Sequence, residues 1–252
     1  MKSNYSIIPV TEFGLSKQYE ILDNDAIGNT IKEKGCWEEH ITEFISNYIK
    51  PEYNCLDIGA NFGYHTVTMG MLANLTGAVF SFEPMKIFSE LINKNLELNN
   101  IHNVIVYNNA VGNEQREVFI QVPCTESKEL VNHGDSSISN RQIGQSVEMI
   151  TIDLLSLPKI NFVKLDVQGS EILVLEGARQ TIAKDKPVMI VEIESHQLHK
   201  FGCTAQDLVN FIKTELEYDM YQMVTAYPAD FLCVPKNTLI NKTFNSFSLK
   251  QI

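Results

Sequence analysis

Five short, almost uninterrupted apolar runs, separated by segments of helical periodicity, limit what this chain can fold into. The runs are Asn54–Ile58, Ala78–Phe82, Val104–Tyr107, Asn161–Leu165 and Val188–Ile193. Strands of that character are covered on both faces, as in a parallel sheet. Between them, Tyr64–Asn74, Met85–Leu98, Ser170–Lys184 and Thr204–Leu216 carry apolar residues on one helical face, such as Phe88, Leu91 and Ile92, or Leu175, Ala178 and Ile182. Strand and helix in alternation predict a doubly wound α/β fold. With 252 residues, 44% of them hydrophobic, the chain can bury a full core without staples.

The flanks read differently. Tyr5 to Leu22 predicts a hairpin turning at Phe13-Gly14-Leu15-Ser16, and Trp37–Ile49 predicts an amphipathic helix stopped by Pro51. Together they make residues 1–50 an N-terminal extension packed on a core of residues 51–235. Residues 113–150 interrupt the alternation with β-like runs around a polar stretch, an insertion near the rim of the site. Tyr218 to Pro235 predicts a closing hairpin, and residues 236–252 a polar, mobile tail.

A net charge of −11 opposes a bulk electrostatic grip on phosphate backbones, so nucleic acid is not the expected partner. Five widely spaced cysteines write neither a zinc knuckle nor a redox pair, which fits a reducing cytoplasm. No apolar run reaches the ~20 residues of a membrane helix, and no signal peptide is read at the start.

Leu56 to Thr66 is a strand, a glycine turn and the start of a helix, which puts backbone N–H groups at the carboxyl edge of the sheet. A dinucleotide fingerprint wants a second and third glycine, but Asn61 holds the second position and no third follows. A nicotinamide-dependent dehydrogenase is therefore the weaker reading. Glu83, in Phe82-Glu83-Pro84 at the end of the next strand, can accept hydrogen bonds from both hydroxyls of a ribose. Asn109-Ala110 offers an amide beside a small residue for an adenine edge. The cofactor set is thus Asp57, Gly59, Ala60, Asn61, Gly63, Thr66, Glu83, Pro84, Asn109, Ala110 and Asp166.

These motifs, in this order, resemble the FkbM-type family of S-adenosylmethionine-dependent methyltransferases. The resemblance runs from Gly35-Cys36-Trp37-Glu38 through the Asp57–Gly63 loop and Phe82-Glu83-Pro84 to Thr151-Ile152-Asp153, Lys164–Glu171 and Pro187–Glu192. It implies a Rossmann-like class I fold, with a seven-stranded, mostly parallel sheet whose last strand is antiparallel. It also implies S-adenosylmethionine as cofactor and methylation of an oxygen, often a hydroxyl of a sugar or small metabolite.

Methyl transfer to an alcohol needs in-line alignment and a group that takes the proton. Asp166, ending the fourth strand, is a candidate base or sulfonium partner, or else a cap for the following helix. Glu192 shares a strand face with Glu194, and His196 follows that strand, as does His199. Glu171 either faces substrate or simply complements a helix N-terminus, and Lys164 pairs with one of these acids. Trp37, Glu38, His133, Glu171 and Glu194 make up the expected substrate side, with His65 packing in the loop helix. Asp166, Glu192 and Glu194 could also hold a divalent metal, although no local ligand motif supports one. A scaffold that binds cofactor without catalysis remains the alternative from a different class.

Overall fold

The computed structural model describes residues 5–121, 134, 136–139, 143–224, 229–242 and 247–252. The chain opens with the antiparallel hairpin β1 (Tyr5–Glu12) and β2 (Leu15–Leu22). Phe13 and Gly14 make the turn with φ of 46° and 76°, the left-handed pair that matches the twist of a tight hairpin. The hairpin is bolted to the core by the Lys17 ammonium, buried and bonded to Glu12 at 2.5 Å and Thr68 at 2.9 Å. A helix that the periodicity did not announce follows, α1 (Ala26–Lys34), capped by Asp25 and ended by left-handed Gly35. The amphipathic helix appears as α2 (Glu39–Tyr48).

The core then runs β3 (Asn54–Ile58), α3 (Tyr64–Ala73), β4 (Ala78–Phe82), α4 (Lys86–Leu98) and β5 (Val104–Tyr107). A second sheet interrupts it: β6 (Ala110–Val111), β7 (Arg116–Gln121), β8 (Ser137–Ser139) and β9 (Gln145–Ile150), in the order β6-β9-β7-β8. The chain resumes with β10 (Phe162–Leu165), α5 (Glu171–Gly177), α6 (Arg179–Asp185), β11 (Val188–Ile193), α7 (Ser195–His199), α8 (Ala205–Asn210), β12 (Tyr218–Gln222), β13 (Ala229–Pro235) and β14 (Lys250–Gln251).

The main sheet has the order β14-β12-β13-β11-β10-β3-β4-β5. Strands β5, β4, β3, β10 and β11 are parallel, and β13 enters antiparallel between β11 and β12. The two-residue β14 adds an eighth strand, one more than expected. Period-2 alternation explains the continuous apolar runs. Cys55, Val79, Phe162 and Ile190 face α2 and α3, whereas Leu56, Phe80, Val163 and Val191 face α5, α6 and α8.

Three local expectations are corrected. The helix over Ser170–Lys184 is broken in two, because a Cβ on Gly177 would lie 1.9 Å from the Gly112 carbonyl oxygen and the chain turns there to admit that backbone. The helix from Thr204 passes from α8 into a single π turn at Phe211–Glu215. The chain end is not a loose polar tail in its described part: Phe247 and Leu249 are buried, and Ile252 N donates to Met220 O at 3.1 Å.

Candidate active site

A cavity of about 410 Å³ opens at the carboxyl ends of β3, β4, β10 and β11, where a doubly wound sheet places its ligand. Its two halves differ in chemistry. One is built from the loop after β3, the end of β4 and the start of the second sheet. The other is built from α2 and the ends of β10, β11 and β13.

In the first half, Gly59 (φ +85°) has no room for a side chain, since its Cβ would stand 1.6 Å from the Asp166 carbonyl oxygen. Asn61 has φ +53°, a conformation asparagine tolerates better than most residues, and its Oδ1 accepts from Phe62 N at 2.7 Å. That explains how asparagine serves where the dinucleotide pattern wants glycine. Asn61 N donates to Glu83 Oε2 and Met85 N to Glu83 Oε1, both at 2.8 Å, so each oxygen keeps a lone pair for a ligand. Burial pushes the Glu83 carboxyl up to about 8 despite these two backbone donors. Asp57 is buried: its Oδ2 accepts from Thr66 Oγ1 at 2.5 Å, while Oδ1 has no hydrogen-bond partner among the described residues. Asn109 reaches the cavity and donates to Glu148 O at 3.1 Å, tying the second sheet to this wall.

The second half is a network of acids around one ammonium. Lys164 Nζ lies 3.2 Å from Asp166 Oδ2, and Gln168 Nε2 donates to Asp166 Oδ1 at 2.9 Å and Glu192 Oε2 at 2.8 Å. Burial would lower the lysine, but Asp166, Glu38, Asp57 and Glu192 hold it above its ordinary range. Glu192 is pushed well above the carboxylate range, by burial first and then by Asp166. Glu38 is the opposite case. Burial would raise it, yet Lys164 and the hydrogen bond from His65 Nε2 at 2.8 Å bring it to about 2.

Oxygens of Glu38, Asp166 and Glu192 lie within 4.8 Å of one another. The Lys164 ammonium and the Gln168 amide already supply the positive side of that trio, so we do not read it as a metal site. Beside it, His40 Nε2 is 2.7 Å from Asp230 Oδ2, and Asp230 sits directly opposite Glu192 in the β11–β13 register. Burial raises the Asp230 carboxyl, while the His40 hydrogen bond opposes the rise.

Trp37, Glu38, Asp57, Gly59, Ala60, Asn61, Glu83, Pro84, Asn109, Ala110, Asp166, Glu192 and Glu194 all line the cavity, as does His65. Gly63, Thr66 and Glu171 stand behind the lining instead. Thr66 orients Asp57, and Glu171 Oε1 accepts from Gly169 N at 3.0 Å and Val167 N at 3.3 Å, fixing the loop after β10. His196 and His199 are exposed on α7, away from the lining, and His133 lies outside the described residues. Sequence reasoning missed His40, Gln168 and Asp230. Glu38-x-His40 carried a signal, two polar residues entering an apolar helix, whereas nothing local marked Asp230.

Glu38, Asn61 and Gln168 all line the cavity and all have left-handed backbones, with φ of 44°, 53° and 55°. Glu38 stands at the N-cap of α2 but makes no capping bond, its carboxylate being committed to His65.

Sheet order, glycine loop and acidic strand ends define a Rossmann-like class I methyltransferase fold. The Methyltransferase FkbM domain matches residues 57–223, and the chain belongs to that family. An FkbM methyltransferase from Methylobacillus flagellatus KT superposes with a TM-score of 0.52 at 16% identity, over 73% of this chain and 44% of its own length. The chain thus spans less than half of that protein. A Klebsiella pneumoniae protein assigned as an O-methyltransferase gives 0.52 at 10% identity, over 83% and 87% of the two chains. The Pyrococcus abyssi tRNA (uracil-54, C5)-methyltransferase, in complex with S-adenosyl-L-homocysteine, gives 0.50 at 10% identity, over 92% and 44%. No curated protein sequence matches significantly. Because the fold also serves RNA, the expectation that nucleic acid is no partner stands on net charge alone. No helix of the described residues is long and apolar enough to cross a membrane.

Proposed function

We propose that the protein transfers a methyl group from S-adenosylmethionine to an oxygen of a sugar or other small hydroxylated metabolite. One observation carries the reading: the Glu83 clamp and the acid network line a single cavity. The residues of the first half fit the cofactor. Glu83 has lone pairs for two ribose hydroxyls, Asn109 offers an amide to a base, and Asp57 Oδ1 is a buried acceptor lacking a donor.

When bound, the cofactor supplies an electrophilic methyl on a sulfonium. Asp166, its oxygens engaged by Lys164 and Gln168, is the carboxylate that would hold the sulfonium side of the group. Glu38, Glu192 and Glu194 offer hydrogen-bond partners to a polyol. The charge of Glu38 and the net charge of −11 oppose phosphorylated acceptors, RNA among them.

Calorimetry with S-adenosylmethionine, S-adenosylhomocysteine and NAD tests the cofactor, and binding of NAD alone would sink the reading. Labelled methyl transfer to pooled metabolites, to glycans and to RNA tests the acceptor, with incorporation into the small-molecule pool expected. Tight cofactor binding without transfer to any pool would favour the non-catalytic scaffold.

A further inference from the structure

An alcohol must lose its proton as it is methylated, and the histidines that follow β11 stand outside the cavity. Two other histidines line it, each paired with a carboxylate, but the pairs are not equivalent. His65 donates from Nε2 to Glu38, and its Nδ1 is sealed in protein with no hydrogen-bond partner among the described residues. A proton cannot reach that nitrogen from the cavity, so His65 serves to orient Glu38.

His40 is built differently. Its Nε2 faces Asp230 Oδ2 at 2.7 Å, no hydrogen bond among the described residues engages its Nδ1, and its side chain, 16% exposed, lines the cavity. Phe247 packs edge-on against the ring, with centroids 6.3 Å apart at 83°, which fixes the plane of the imidazole. The charged and titratable groups around it are Glu38 at the N-cap of α2, Asp230 on β13, Glu192 on β11, Lys164 on β10 with Asp166 just after it, and His65 on α3. Each of the acids is otherwise engaged: Glu192 by Gln168, Asp166 by Lys164 and Gln168, Glu38 by His65.

Resting on the methyltransferase reading above, we propose that the His40–Asp230 pair is the general base that takes the proton of the acceptor hydroxyl. The acceptor oxygen bonds to the methyl carbon while the carbon–sulfur bond of the sulfonium donor breaks, leaving a neutral thioether. The O–H bond breaks, its proton passes to His40 Nδ1, and Asp230, accepting from Nε2–H, stabilises the imidazolium. One cation is consumed and one is formed. The pair reaches the cavity from α2 and β13, whereas the glycine loop enters it from β3, so the pair is placed to serve the acceptor rather than the cofactor.

The test compares wild type with His40→Ala and Asp230→Asn in transfer of labelled methyl from S-adenosylmethionine to a metabolite extract. Calorimetry with S-adenosylhomocysteine runs alongside. His40→Ala should lose ~10²–10⁴-fold in initial rate, bind S-adenosylhomocysteine as wild type does, and recover rate when free imidazole is added. Nitrogen-15 spectra of the imidazole rings provide a readout independent of turnover. They should show His40 protonated on Nε2 with Nδ1 bare, and Asp230→Asn should disturb that tautomer. Rate retained within about threefold in His40→Ala, or a wild-type ring carrying its proton on Nδ1, overturns the proposal alone. Absence of transfer by wild type to any acceptor overturns the underlying reading and the proposal with it.

Discussion

The Glu83 carboxyl should make cofactor affinity depend on pH, and the size of the effect follows from its surroundings. Burial holds it near 8, so at pH 7 roughly a tenth of the molecules carry the carboxylate and at pH 8 about half do. Both oxygens already accept one backbone N–H, from Asn61 and Met85. Two ribose hydroxyls can donate to what remains only if the group is ionised. Binding at pH 7 should therefore be about tenfold weaker than its limit above pH 9, a difference of about 1.4 kcal/mol. Close to one proton should be released per cofactor bound at pH 7.

Calorimetry with S-adenosylhomocysteine from pH 6 to 9, in two buffers of different ionisation enthalpy, reads both quantities. Glu83→Gln should flatten the profile and weaken binding throughout, because its amide NH₂ would confront one of the two backbone donors. The sign for stability is opposite. A folded value raised above the unfolded one gives stability that is full below about pH 4.5 and is lost as pH rises through about 8. Cofactor should accordingly raise the melting temperature more at pH 8.5 than at pH 6.5. Flat affinity in the wild type, with no proton release, would refute the reasoning.

Other outcomes can be checked by unfolding. Gly59→Ala combines a left-handed backbone with a collision against Asp166 O, and should cost roughly 3 kcal/mol or more even without ligand; a neutral result in urea would show that the two loops move apart easily. Lys164→Met strands the acids around a buried site and should cost about 3–5 kcal/mol at pH 7.5, the loss shrinking as pH falls and the acids take up protons. Glu171, raised by burial to about 7, contributes stability that is full below about 4.5 and is lost as pH rises through about 7. Glu171→Gln keeps an acceptor for Gly169 N, so above pH 8 it should be more stable than wild type, by at most about 3 kcal/mol. Equal pH–stability curves for the two proteins would contradict that assignment.

The five central strands were legible because helices cover both faces of most of them, so nearly every position is apolar. Helix α1 was not, since it buries only Ile27, Gly28 and Ile31, too narrow a stripe to stand out; its ends, Asp25 and Gly35, were the better signal. The break between α5 and α6 and the pairing of β14 are set by distant backbone, Gly112 and Tyr221, and leave no local trace. The same holds within the site. Residues at strand ends were readable, because topology alone delivers Asp57, Glu83, Asp166 and Glu192 to one edge. Which of them face the cavity was not, because Thr66 and Glu171 turn their polar atoms back into the loops. His40 and Asp230 come from opposite ends of the chain, and only the closed fold brings them together.

The left-handed backbones at Glu38 and Gln168 bear on how this protein could be improved or lost. An L side chain held there costs roughly 1 kcal/mol that glycine would largely avoid. Glu38→Gly and Gln168→Gly would relieve that strain, but they would delete the partner of His65 and the amide that joins Asp166 to Glu192. The strain at these two positions is therefore held in place by the same contacts that build the site. A stabilised variant of this protein should be sought in the hairpin or the second sheet, with the helix entry at Glu38 and the bend at Gln168 left as they are.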